Sequence, residues 1–367
     1  MKLLMQPDDG IIPLIKGITR ARKSVEIVIF RFDQREIERA LANAVSRGVF
    51  VHALIAHTNR AGEEGLRKLE MRLLAQGVTV ARTADDLVRY HDKMIIIDRR
   101  ELYLLAFNFT HLDIEHSRSF GVITRSRSLV REAVKLFEAD TMRHPYEPGL
   151  ARFVVSPLNA RKQLAAFIKG AKKELLIYDP KISDPAMIRL LEERAKAGVD
   201  VRVIGKLTRK SSGLAARKLS QIRLHTRTMV RDHRLVFVGS QSLREMELDA
   251  RREVGLILCD ARVVSRLVQI FQEDWETAAQ SAASAAEEPE PAGRVARKVA
   301  KILSRDMPPV APVLEQAVRE LAGDRTGVEV DPKELEGAVR EAVKEAVREA
   351  VEDVVEEAVE QAGGKGA

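Results

Sequence analysis

The sequence predicts an α/β protein built from one unit used twice and followed by a helical tail. Three observations carry this: segments that match at a fixed offset, helix patterns alternating with β-rich runs, and a change of charge near residue 281. "QPDDGIIPLIKGITRARKSVEIVIF" from Gln6 and "SPLNARKQLAAFIKGAKKELLIY" from Ser156 each run from a proline through an amphipathic helix pattern and a basic cluster. Each then enters a β-rich run, Val25 to Phe30 and Leu175 to Tyr178. Pro7 with Pro157, and Gly48 with Gly198, both give an offset of 150. The two glycines end the helix patterns "ALANAVSRG" and "LLEERAKAG" and lead into alternating strands, as C-cap glycines do. The expected organisation is a first repeat over 1–150, a second over 151–280, a linker over 281–293 and an acidic helical tail over 294–367.

Charge separates the body from the tail. Residues 281–367 hold 12 Lys+Arg and 19 Asp+Glu, a net of −7. Of the chain's 61 and 54 this leaves 49 and 35 for residues 1–280, a net of +14. A body so basic suits a polyanionic partner, anionic lipid or nucleic acid, and charge alone does not choose between them. No apolar run approaches the roughly 20 residues that span a bilayer. The start, "MKLLMQPDDG", is too short and too soon acidic for a signal peptide. Cys259 is the single cysteine, so neither an intramolecular disulfide nor a cysteine metal cluster can form. The expectation is a cytoplasmic protein with peripheral contact to a membrane.

The chemistry-bearing stretch is "HDKMIIID", residues 91–98. His91 and Lys93 are two apart, so on an extended chain they point the same way. Met94 to Ile97 reads as a buried strand ending at Asp98. The second repeat holds "HTRTMVRD", where His225, Arg227 and Asp232 keep the same spacing at an offset of 134. The same offset pairs Leu105 with Gly239, Ala106 with Ser240, Asn108 with Ser242, Ser119 with Glu253 and Gly121 with Gly255. A solvated strand end explains one such stretch; two in register point to a shared anion.

On these residues the chain resembles the phospholipase D superfamily, whose mark is a paired H-x-K-x4-D motif. The resemblance covers roughly residues 5–277 and includes "FNFT", "GSQSL", "RREVGLIL" and "FQEDW". The second half is particularly similar to bacterial phospholipase D-like and cardiolipin synthase-like proteins. The resemblance implies two α/β/α sandwich halves about a pseudo-twofold axis, with both motifs meeting in one site that uses no metal or other cofactor. The remaining histidines, such as His52, His57, His111, His116, His144 and His233, show no paired ligand spacing.

Phosphodiester cleavage needs a nucleophile, an acid for the leaving oxygen and cations around phosphate. Imidazole can fill the first two roles because its ordinary pKa lies near neutrality. One histidine forms a phosphohistidine; the other protonates the leaving alcohol and then activates water or an acceptor alcohol. His91 is the expected nucleophile, since its motif is intact and the family attacks from the N-terminal half. Lys93 and Arg227 are expected on the non-bridging oxygens, with Asn108, Ser240 and Ser242 as neutral donors. Asp98 and Asp232 complete the motifs and are expected to anchor the motif strands rather than move protons. Glu253 is expected to orient one imidazole, His225 or, across the axis, His91.

The departures from the family pattern are asymmetric. Leu105-Ala106 replaces Gly-Ser in the first half, and Arg227 replaces lysine and Ser242 replaces asparagine in the second. Ser119 stands where the second half has Glu253. Pooled across the axis, one full set of parts survives. Three functions follow as readings: a phospholipid hydrolase or phosphatidyltransferase, a metal-independent nuclease, and a phosphate-binding scaffold that has lost catalysis. An aromatic content of 4% argues against a base-stacking channel.

Beyond the Ala/Glu/Pro-rich linker, "GRVARKVAKILSR" is a short basic amphipathic pattern without aromatics, a weak membrane-surface signal. From about 333, Val339, Val343, Val347, Val351, Val355 and Val359 recur every four residues. Such a stripe drifts slowly round a helix and offers a narrow apolar face for self-association or for another protein.

Overall fold

The computed structural model describes residues 1–58, 63–208, 214–219 and 221–284. The first half begins with β1 (Lys2–Gln6), α1 (Ile12–Arg20), β2 (Ser24–Ile29), α2 (Arg35–Ser46), β3 (Phe50–Ile55), α3 (Glu63–Ala75) and β4 (Thr79–Arg82). It continues through β5 (Arg89–Tyr90), β6 (Met94–Ile97), β7 (Glu101–Leu105), α4 (His111–Glu115), β8 (Ser117–Thr124) and α5 (Arg127–Met142). The second half opens with β9 (Phe153–Ser156), α6 (Ala160–Lys169), β10 (Glu174–Ile182), α7 (Pro185–Lys196), β11 (Asp200–Leu207) and β12 (Ala215–Arg217). It ends with β13 (Arg223–Leu224), β14 (Arg227–Arg231), β15 (Leu235–Gly239), α8 (Glu245–Asp249), β16 (Arg251–Leu258) and α9 (Ala261–Ser284). Among the described residues, every element of one half except α3 has a counterpart in the other. Helix α9 runs four residues into the segment expected as a linker; the rest of that linker and the acidic tail lie outside the described residues.

The two sheets have the same order. The first is β1-β8-β7-β6-β2-β3-β4, and the second is β12-β11-β10-β14-β15-β16 with β9 on the far side of β16. In each, the strand after the first helix pairs parallel with the next and antiparallel with the motif strand.

Local sequence explains these elements. Gly48 and Gly198 follow the C-caps of α2 and α7 at φ +79° and +85°, the left-handed region that stops a helix without Cβ strain. Asp184 begins α7 by accepting from the Met187 N–H at 2.9 Å, with Pro185 next. Strand β6 shows why its sequence is uniformly apolar. Met94 and Ile96 face one core with α5, whereas Ile95 and Ile97 face another with the outer helices. A strand covered on both faces has no polar side to alternate with.

The core lies in three layers. A shared central layer takes the inner faces of both sheets together with α5 and α9. Two outer layers pack α1, α2 and α3 on the first sheet, and α6 and α7 on the second. Burying one aliphatic side chain of this kind stabilises by about 1.5–3 kcal/mol. A charge introduced at Ile96, which is fully buried, would therefore disrupt both halves at once. No helix among the described residues is long and apolar enough to cross a membrane.

Candidate active site at the seam of the two halves

An exchange of short strands builds the site. Strand β5, just before His91, pairs with β16 of the second half, and β13, just before His225, pairs with β8 of the first. The His91 N–H consequently donates to the Arg252 carbonyl (2.8 Å) and the His225 N–H to the Arg118 carbonyl (3.1 Å). Two ion pairs reinforce the seam, each joining one half to the other: the buried Arg252 with Asp140 (2.9 Å) and the half-buried Arg118 with Asp274 (2.9 Å). Each histidine is thus anchored on the opposite half's backbone.

The His91 ring is fixed on three sides. Its Nδ1 is 2.9 Å from both oxygens of Glu253, and its Nε2 is 2.9 Å from Lys93 Nζ. Phe30 meets the ring edge-on, with centroids 4.5 Å apart, and the Lys93 ammonium lies 5.6 Å from the Phe30 centroid. A lysine ammonium has no lone pair, so contact with it requires Nε2 to be the bare nitrogen, leaving the N–H at Nδ1 for the carboxylate. Burial first, then the charges of Lys93 and Arg227, push His91 well below the ordinary imidazole range and keep it neutral. Burial likewise pushes Lys93 down to about 7, against the pull of Glu253, and pushes Glu253 up to about 8. Burial thus disfavours the charged forms of all three groups. What results is an imidazole with a directed, unprotonated Nε2.

His225 is held differently. Its Nδ1 lies 3.4 Å from Asp113 Oδ2, too far for a firm hydrogen bond, and Ser119 Oγ donates to its carbonyl at 3.3 Å. Burial again lowers its pKa well below the usual value, here opposed by the Asp113 carboxylate. The fields of Lys93 and Arg227 act on both rings, and His225 acts on His91, which places the two motifs in one electrostatic neighbourhood. Among the described residues Arg227 Nε has no hydrogen-bond partner and lies 3.8 Å from Glu247. A largely buried guanidinium so poorly matched is open to an anion.

Other expected residues fall elsewhere. Asp98 and Asp232 lie at the opposite ends of β6 and β14 from the histidines. Asp98 accepts from the amides of Arg22 (3.0 Å), Lys23 (2.7 Å) and Ser24 (3.1 Å). Asp232 does the same for Lys172 (3.1 Å), Lys173 (2.7 Å) and Glu174 (3.0 Å). Both carboxylates anchor a turn, the strand-anchoring role expected of them, and neither belongs to the histidine cluster. Ser242 was expected to face substrate, but its hydroxyl donates to Asp179 and contacts the Lys181 carbonyl at 3.0 Å. Ser240 is engaged with the Val254 backbone, accepting from its N–H at 3.1 Å. Asn108 donates through Nδ2 to Asp113 at 2.6 Å, and its Oδ1 has no partner among the described residues.

Asp113 and Phe30 are the functional candidates that sequence reasoning missed. Asp113 sits on α4, nearly fully buried, and gathers the Asn108 amide N–H (2.8 Å), the Asn108 side chain and Arg223 (2.8 Å). Burial opposes its charge, but His225 and Arg223 outweigh it and hold the carboxyl well below its ordinary range. A signal was present: Asp113 and Glu247 stand at the 134 offset, each five residues after Asn108 or Ser242. Glu247 fills the matching place, accepting from the Ser242 N–H at 2.7 Å.

The chain is similar to known proteins along most of its two repeats. The family model described as "Cardiolipin synthase, PLD-like domain" matches residues 14–141 and 164–275. A polyphosphate kinase of Vibrio vulnificus is 24% identical over 277 residues, covering 68% of this chain and 39% of that protein. A mitochondrial cardiolipin hydrolase of Danio rerio is 29% identical over 130 residues, 34% of this chain and 56% of that one. The chain thus spans about half the length of these relatives. The crystal structure of a polyphosphate kinase from Porphyromonas gingivalis superposes with a TM-score of 0.63 at 18% identity, over 75% of this chain and 50% of that chain, a likeness of fold.

Proposed function

From a chain that belongs to the phospholipase D superfamily and gathers both motif histidines at one seam, we infer a phosphodiesterase or phosphatidyltransferase acting on phospholipids through a phosphohistidine. The observation that carries this reading is the His91 ring clamped between Glu253 and Lys93, each at 2.9 Å. His91 Nε2 attacks phosphorus while the bond to the leaving oxygen breaks, and that oxygen takes a proton from His225. Water or an acceptor alcohol then gives a proton to His225 and attacks phosphorus, the P–N bond breaks, and the lone pair returns to His91. Lys93 moves from Nε2 to a non-bridging oxygen, and Arg227 neutralises the second. Asp113 and the incoming phosphate both favour the protonated form of His225 that the first step requires. The choice of lipid is supported by the matched family description and the cardiolipin hydrolase relative.

The test is headgroup and phosphatidic acid release from vesicles of cardiolipin, phosphatidylglycerol or phosphatidylcholine, with chelator present. Release abolished by His91→Ala supports the reading. Cleavage of single- or double-stranded DNA in chelator, with no lipid turnover, would instead favour the nuclease, to which the net +14 of residues 1–280 is also suited. Tight binding without turnover of either would leave the scaffold.

A further inference from the structure

The halves also diverge far from the histidines, at the outer ends of β6 and β14. In the first half Glu101 bridges Arg20 (3.1 Å) and Arg125 (2.8 Å), with the Tyr103 hydroxyl at 3.2 Å. The equivalent positions in the second half are Leu235, Gly170, Cys259 and Phe237. The acid and both of its arginines are gone, and a cleft of about 360 Å³ opens there.

Cations line this cleft. Lys172, Arg231 and Arg234 border it together with Gly170, Asp232 and the exposed thiol of Cys259. Arg231 lies over the Phe167 ring at 5.1 Å and donates to the Phe167 carbonyl at 3.1 Å. It can do so because residue 170 is glycine: a Cβ there would stand 2.2 Å from the guanidinium. Asp232, the one acid at the cleft, has its carboxylate engaged by the three amides described above. Lys172 and Arg234 make no side-chain hydrogen bond or ion pair among the described residues. Three cations against one acid leave two positive charges facing solvent in a concavity, two of the cations being guanidinium forks suited to tetrahedral oxyanions.

We propose that this cleft is a second anion site, for a phosphate monoester group, separate from the histidine site. His225 and Asp232 bracket β14, and seven residues of extended chain put roughly 20 Å between them. The ligand is a dianionic phosphate, free or carried on a lipid headgroup. Its charge matches the excess of the cleft, and the volume leaves room for the group that bears it.

Cys259 is the only cysteine, so thiol reactivity of the full chain reports on this cleft alone. The anionic reagent 5,5′-dithiobis(2-nitrobenzoate) should react about tenfold faster than neutral 4,4′-dithiodipyridine, after each is normalised to a small neutral thiol. Millimolar inorganic phosphate should slow both reagents. The exposed double variant Lys172→Gln/Arg234→Gln should lose the preference and the protection while keeping the neutral reagent's rate. Leu235→Glu, which restores the acid of the first half, should lose the protection too. Protection by phosphatidylcholine vesicles containing phosphatidic acid, stronger than by phosphate at equal concentration, assigns the ligand to a headgroup; the reverse assigns it to a soluble phosphate. No protection by either, or protection that survives both variants, overturns the proposal.

Discussion

The turn carrying Asp98 and the turn carrying Asp232 are nearly the same object. Both carboxylates take three successive amides, and both residues sit at φ 52°. Seven residues before each aspartate the likeness stops. His91 has a carboxylate at 2.9 Å, a lysine on its other nitrogen and a phenylalanine edge against the ring. His225 has a carboxylate at 3.4 Å from a different element, an arginine in place of the lysine, and Pro180 at the position equivalent to Phe30. The strand exchange explains how this is tolerated. Because β5 and β13 each cross to the other sheet, the proposed site draws on both copies, and neither copy must keep a full set of parts. Duplication preserves the frame, whereas the strand exchange leaves the two histidines in different surroundings.

Breaking the comparison outright should have the largest effect. His91→Ala removes the proposed nucleophile, and turnover should fall to background, by about 10⁴-fold or more. His225→Ala should slow a poor alcohol leaving group by about 10²–10⁴-fold, yet hardly slow nitrophenol, which needs little protonation. Equal losses on both leaving groups would remove the division of labour.

Lys93→Met tests the cluster on the His91 side. Loss of the phosphate-binding charge should cost about 10²–10³-fold in kcat/KM. The fold should become more stable, since a fully buried ammonium is removed. An increase of about 1 kcal/mol would raise Tm by roughly 2–4 °C. The sign follows from linkage: Lys93 falls to about 7 in the folded protein, so the unfolded chain holds more protons above that pH, and stability from this group rises with pH until its unfolded pKa. Binding runs the other way. An anion needs the protonated lysine, so KM for a soluble phosphodiester should rise between pH 7 and 9, by up to about tenfold per unit. Lys93→Arg should flatten that rise.

Smaller effects sharpen the contrast. Glu253→Gln should lower kcat by about 10²-fold and Asp113→Asn by about tenfold, following 2.9 Å against 3.4 Å. A larger loss for Asp113→Asn would invert the roles. Asp98→Ala and Asp232→Ala should be alike, each costing about 1–3 kcal/mol of stability. Urea unfolding would check this. Unequal values would show that the shared frame is less shared than its hydrogen bonds imply.

The repeat was legible because it is written in punctuation: Pro7 and Pro157, Gly48 and Gly198, and the spacing from histidine to aspartate all survive divergence. Met94 to Ile97 read correctly as a buried strand, and β6 covers those four residues. The seam was less legible. Nothing in "RY" or "RL" announces a two-residue strand that crosses to the other sheet, since such pairing depends on tertiary placement rather than periodicity. Nothing in the chain assigns Glu253 to one histidine over the other, whereas its place on β16, beside β5, ties it to His91. Asp113 was hidden for another reason. On a five-residue helix with a Thr110 cap it reads as a first-turn acid, and only burial exposes its contact with Arg223 and its approach to His225. Ser242 failed by the opposite route: a hydroxyl at a family donor position was claimed by Asp179, whose burial is invisible in the chain.

The most direct measurement of the central claim is to trap the covalent intermediate with one reactive phosphodiester and map it by mass spectrometry under alkaline conditions, where phosphohistidine persists. The expected result is a phosphorylated peptide containing His91, absent in His91→Ala and accumulating in His225→Ala, where its hydrolysis lacks a base. A phosphorylated peptide containing His225 instead would contradict the assignment of nucleophile and acid to the two halves.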